Sequence, residues 1–176
     1  TAFTAAEAGE AMEYMAMAGW KTGDMLGGIE GIMNLAAASG EELGSVSDIV
    51  TDALTAFGLS ASDAGHFSDV LAQASSNANT NVSMMGSTFQ KVAPVAGALG
   101  YSVEDMSLGI GLMANTSIKA EVAGTSLKTA LANMAKPTKQ QAAYMDKYGI
   151  SLTKTDGTMK TFGEVVENLR GSLGGL

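Results

Sequence analysis

Apolar residues recur along this chain at intervals of three and four rather than two, and that spacing predicts helix nearly throughout. The first predicted helix covers about residues 4–18. Phe3, Met12, Met15 and neighbouring alanines form its apolar stripe, with Glu7, Glu10 and Glu13 on the wet side. Gly19-Trp20-Lys21-Thr22-Gly23 makes a turn, and Asp24 is the expected cap of a second helix over roughly 24–38. That helix carries Met25, Leu26, Ile29, Ile32, Met33 and Leu35, and Ser39-Gly40 ends it. Ser45 followed by Asp48 reads as a capping box for a third helix, about 46–57, with Val46, Ile49, Val50, Ala53, Leu54 and Phe57 inward. Gly58 stops it. Ser60-Ala61-Ser62-Asp63 opens a fourth over 61–76 with Phe67, Val70, Leu71 and Ala74 inward, and the small polar run 75–81 is a loop.

A fifth helix spans about 82–98 with Met84, Met85, Phe89, Val92 and Val95, and Pro94 should end or kink it near its middle. Gly100-Tyr101 turns the chain, and Ser102 with Asp105 opens a sixth helix over 103–115. A seventh covers 119–134 with Val122, Leu127, Leu131 and Met134, and Pro137 separates it from an eighth over 138–147. The next stretch changes character. Gly149-Ile150-Ser151-Leu152 and Met159-Lys160-Thr161-Phe162 flank an Asp156-Gly157 pair, which predicts a small β-hairpin near residues 149–162. A last helix follows over about 162–173, with Val165, Val166 and Leu169 inward. The expected fold class is all-α: one compact bundle of about eight or nine short helices over 1–176, plus that hairpin.

A weak internal repeat changes this picture. Shifted by 81 residues, Gly19, Asp24, Met25, Gly28, Ile29 and Asn34 fall on Gly100, Asp105, Met106, Gly109, Ile110 and Asn115, and Trp20 falls on Tyr101. Two pseudo-repeat halves, 1–80 and 81–148, would then be followed by the hairpin and helix of 149–176. Chance likeness between two amphipathic helices is the competing account.

Composition supports helix. The chain is 46% hydrophobic and 16% charged, much of the apolar share is Ala and Met, and aromatics are only 6%. Valine and isoleucine are sparse, so little sheet is expected. The 22 glycines are unusual. Each costs about 1 kcal/mol inside a helix relative to Ala, so many should sit at turns or where helices touch. The start at Thr1 and the closing Gly171-Ser172-Leu173-Gly174-Gly175-Leu176 string both look like cuts in a longer chain. No cysteine is present, which removes disulfides and thiolate chemistry. The net charge of −8 is uneven: residues 1–90 hold 11 acidic groups and one basic, residues 91–176 hold 7 and 9. An acidic first half repels nucleic acid. It fits a solvated surface, a basic partner, or head-to-tail contact between acidic and basic ends.

Few constellations look catalytic. His66 is the sole histidine; a triad would need it with Asp63 or Asp69 and with Ser62 or Ser68. Those neighbours are also what any polar helix start contains. Glu41-Glu42 and Glu104-Asp105 are adjacent carboxylates that diverge on a helix and act better as helix-start charges. Gly27-Gly28 and Gly109-Ile110-Gly111 lie within helices, not in phosphate-binding loops. No metal-ligand spacing appears, so no catalytic, cofactor or metal residue is assigned. Small residues four apart, as at Gly27 to Gly31 and Ala93 to Gly97, would let helices touch in a membrane. Charges and loops break those runs, which leaves transient membrane contact as the alternative reading.

A resemblance narrows the field. Phe57-Gly58-Leu59-Ser60, Asp69-Val70-Leu71-Ala72, Met84-Met85-Gly86 and Val92-Ala93-Pro94-Val95-Ala96 resemble the core region of phage tail tape measure proteins, the phage minor tail protein family. Gly100-Tyr101-Ser102-Val103-Glu104-Asp105, Leu112-Met113-Ala114-Asn115, Ala123-Gly124-Thr125-Ser126-Leu127-Lys128 and Tyr148-Gly149-Ile150 continue the pattern, over about residues 20–172. The resemblance implies a non-enzymatic structural role without cofactor, in a virion tail or, during assembly, in the host cytoplasm. Such proteins act as a ruler inside the tail tube and pass down it with the DNA. Implied partners are other copies, as trimer or hexamer, and tail tube, tail tip and tail assembly chaperone proteins. A ruler is long and repetitive, whereas these turns and glycines imply a compact domain attached to it. Wall-degrading activity belongs to other segments of some family members.

Overall fold

A computed structural model describes residues 2–174. Thr1 and the closing Gly175-Leu176 of the Gly/Leu string lie outside them. The described residues form nine α-helices: α1 Ala5–Met17, α2 Thr22–Ser39, α3 Leu43–Phe57, α4 Ala64–Asn77, α5 Val82–Ala98, α6 Val103–Asn115, α7 Ala120–Ala135, α8 Lys139–Tyr148 and α9 Phe162–Leu173. A short 3-10 turn, Ala61–Asp63, leads into α4.

The helices stand in two rows. α1, α3, α5 and α7 pack side by side in one, and α2, α4, α6 and α9 in the other. Links between rows join chain neighbours: α2 to α3, α3 to α4, α4 to α5, α5 to α6 and α6 to α7. Within a row the helices run parallel. Gly86 near the start of α5 faces Ile49 near the start of α3, and Gly97 near the end of α5 faces Ala56 and Phe57 at the end of α3. The core lies between the rows, where Phe89 of α5 meets Phe57 of α3 and Phe67 of α4 at ring separations of 5.8 and 5.7 Å.

One local device makes each hairpin. α1, α3, α5 and α8 end on Gly19, Gly58, Gly100 and Gly149, all at positive φ between 64 and 87°. That conformation is nearly free for glycine and strained for other residues. The apolar residue that follows donates its N–H back to the helix: Trp20 to Met15, Leu59 to Leu54, Tyr101 to Ala96 and Ile150 to Met145. A cap and an acid three residues on then open the next helix. Lys21 N–H donates to Asp24 and Ser60 N–H to Asp63, Asp105 N–H donates to the Ser102 hydroxyl, and Thr161 N–H donates to Glu164. The device thus occurs at Gly19, Gly58 and Gly100, and in split form at Gly149 and Thr161. In the fourth unit α7 packs on α5 and α9 on α6, and α8 lies between them in sequence, parted from α7 at Pro137.

Four expectations need correction. The β-hairpin near 149–162 does not form: no strand occurs among the described residues, only one isolated bridge between Thr153 and Met159. Asp156-Gly157 does turn the chain, with Gly157 N–H donating to Lys154 and Lys154 N–H to Thr158. Helices lie on both flanks, and between Gly149 and Thr161 only Lys160 N–H to Leu152 and Lys154 N–H to Thr158 pair the two arms, too few bonds for a ladder. Asp24 is not the cap of α2 but the acid three residues beyond it. Ser45 lies inside α3, which starts at Leu43 after Glu42. Of the two outcomes expected at Pro94, an end or a kink, the first does not occur, since α5 continues to Ala98. Pro94 and Gln90 are both exposed, so the turn that gives up a hydrogen bond to proline lies at the surface. Four side chains placed on apolar stripes are exposed, Leu26 and Val122 at 64 and 66%, Met84 and Val166 at 36% each.

Candidate interaction surfaces

The groups a catalytic reading would need gather on the α4–α6 side: His66, Asp69 and Glu104 share one groove, and Asp63 and Ser102 lie beside His66 and Glu104 in another. His66 Nε2 meets Glu104 Oε1 at 2.5 Å, a contact from α4 to α6 that spans 38 residues of sequence. Both side chains are more than half exposed. Asp63 is occupied by the Ser60 hydroxyl and N–H, whose hydrogen bonds hold its carboxyl below the ordinary range. Ser62 bonds Ser60, and Ser68 is buried in the core with an unpaired hydroxyl. Glu104 is also held low, first by its own backbone N–H and then by His66 and Ser102, against an opposing push from burial. Glu41 is a bracket between turns: it accepts from the N–H of Ser83 at the start of α5. Asn115 does the same, accepting from Asn79 N–H. Among the described residues no group of three or more His, Asp or Glu side chains is placed to hold a metal ion.

What the fold displays instead is apolar surface. Between α4 and α6 runs a groove of about 500 Å³, floored by Val70, Ala74 and Leu108 and rimmed by His66, Asp69 and Glu104. It opens towards Leu112 and Ala78 at the far end. Leu108 and Leu112 are 54 and 52% exposed, because Met106 and Ile110, two positions out of phase, take the inward face of α6. Sequence reasoning missed this pair; that phase difference was the signal for it. A second depression, about 370 Å³, lies in the last hairpin among Leu99, Met134, Met145, Ile150 and Met159.

Comparison with known proteins adds what the geometry alone lacks. The sequence profile of phage-related minor tail proteins matches residues 1–176. The chain belongs to that family. The tape measure protein of Pneumococcus phage Dp-1 is 39% identical over 176 residues, all of this chain and 15% of that protein. The probable tape measure protein of Escherichia phage P2 is 22% identical over 172 residues, 98% of this chain and 21% of that protein. The chain therefore spans a small part of the curated relatives it matches. No solved structure matches it. In this minor tail protein segment, among the described residues, no helix is long and apolar enough to cross a membrane.

Proposed function

We propose that this chain is a structural segment of a tape measure protein, which sets tail length and supports tail assembly and genome ejection through protein–protein contacts. The observation that carries this reading is the 39% identity to the Dp-1 tape measure protein across every residue. The two-row fold supports it: open apolar grooves on packed helices suit recognition of other helices. The chain works as one domain over 1–176, without catalysis, in the lumen of the tail tube and before that in the host cytoplasm. Its partners are further copies, as trimer or hexamer, together with tail tube, tail tip and assembly chaperone proteins.

The test is an in-frame deletion of these residues from the full-length gene of the phage or prophage, read by electron microscopy of the particles. Tails that are absent, or altered in length from those of the parent, are expected. Unchanged tail length with full infectivity overturns the reading.

A further inference from the structure

Helix α8 is held differently from the other helices of the fold. None of its 10 residues is buried, whereas α1 buries Ala11 and Met15 and the short α9 buries Phe162 and Val165. Its inner face, Ala142, Met145 and Tyr148, is only partly covered. The sequence explains why. Lys139, Gln140, Gln141, Asp146 and Lys147 take most of the other positions, so the apolar stripe is narrow.

The bed beneath α8 is better built than the helix upon it. Leu99, Met134 and Met159 pack against the main core, and among the described residues no apolar side chain of α8 does. Two hollows, of about 370 and 240 Å³, are each lined by Met134, Met145 and Ile150. Met145 therefore borders unfilled space twice, and a side chain beside a void forfeits part of the dispersion that would hold it.

Polar contacts do not make up the difference. Among the described residues, no hydrogen bond or ion pair runs from α8 to another helix. Tyr144 stacks on Tyr148 and Lys147 lies over the Tyr148 ring, both within α8. The start of α8 is capped from inside, Thr138 N–H donating to Gln141 and Gln141 N–H to the Thr138 hydroxyl. Just before that cap, Pro137 has no N–H to give. The tie comes at the far end. There Asn168 of α9 donates to the Gly149 carbonyl at 2.9 Å and accepts from Ser151 N–H at 3.0 Å.

We propose that α8 is a flap, pinned at Gly149 and loose at Pro137, which lifts from its bed while the two rows stay folded. A helix of 10 residues is marginal alone in water, where about 12–15 are needed. α8 therefore melts as it lifts, and closing re-forms it against the bed. The open state bares Met134 and Met159, unbranched side chains that adapt to more than one neighbour. The device belongs to this chain alone, so its test does not depend on tail length.

The test is native-state hydrogen exchange on the 176-residue chain in a urea series below the unfolding transition, with Ala142→Leu and Asn168→Ala. In the parent, α8 amides should exchange about a hundredfold faster than those of α5 and α7, at a rate that urea hardly changes. Ala142 borders the larger hollow, so leucine there should slow exchange in α8 about tenfold and leave α5 as it was. Asn168→Ala removes the pin and should speed it about tenfold. Exchange of α8 in step with α5 and α7, at one urea-dependent rate, would overturn the proposal. So would α8 amides as fast as those of an unfolded peptide, since no closed state would then exist. A change in α5 equal to that in α8, or no response of α8 to either substitution, would also overturn it.

Discussion

The two rows draw on the same hairpins and the same supply of small residues, yet they pack differently. In the odd row every interface has a glycine pressed against its neighbour: Gly44 on Tyr14, Gly86 on Ile49, Gly97 on the Ala56 carbonyl, Gly124 on Thr88. The even row is tight at its flanks, where Gly31 meets Gly65 and Gly109 meets Phe162, and looser in the middle. There α4 and α6 face each other across Asp69, Gln73, Glu104 and Leu108, and the groove opens. The only glycine at that contact, Gly111, touches Ala78 at the far end. Small residues make wall, and long ones, held apart, make surface. Shape follows residue size at each contact more than overall apolar content.

Substitutions can break that contrast. Phe89→Ala removes the ring that joins α3, α4 and α5, and it should cost about 3–5 kcal/mol in urea unfolding and loosen both rows together. Gly124→Leu should follow, at about 2–3 kcal/mol from overpacking, because the clash is with the α5 backbone and cannot be relieved by a side-chain rotation. Gly27→Ala sharpens the same contrast with the opposite sign. Gly27 is exposed on α2 with open space around it, so the change should stabilise by about 1 kcal/mol. The double change Leu108→Ser with Leu112→Ser should leave stability within about 0.5 kcal/mol of the parent, since both side chains already meet water. An unfolding shift beyond that range would mean the groove is structural after all.

Acidification separates α3 from the capped helix starts by sign, and Glu7 at the start of α1 is held low by hydrogen bonds from Thr4. Asp63, Glu104 and Glu164 on the even row have carboxyls held low, by hydrogen bonds from Ser60, from the Glu104 N–H and from Lys154 respectively. A lowered folded value contributes stability that is present above the ordinary carboxylate range and lost as pH falls through the folded value. Asp48 on α3 is raised, by burial and then by Asp52, so its protonation on acidification relieves a cost. Hydrogen exchange between pH 7 and 3 should therefore show protection falling at the starts of α1, α4, α6 and α9 before α3. Loss in α3 as early as at those helix starts would contradict this assignment.

Most helix positions were legible because apolar spacing and turn glycines coincided. The hairpin period was half legible. The shift of 81 residues aligns Gly19 with Gly100 but passes over Gly58, whose copy has Leu59 in place of an aromatic and a 3-10 turn before its helix. The Asp-Gly pair misled because it specifies a turn, whereas a ribbon also needs arms that helices have not already taken. Leu26 and Val122 fell on apolar stripes yet meet water, because a helix with neighbours on two sides has no single apolar stripe.

Every substantial contact in this array joins a hairpin to itself or to the next one. Topology of that kind makes the chain behave as a nearly one-dimensional system, in which stability is a sum over neighbouring units. Under tension from either flank, the hairpins should yield one after another. The peak force should be set by one interface instead of the whole core. Loop closures are short and nothing threads, so re-formation after release should be fast. A protein drawn through a narrow opening would then be peeled in small, equal steps.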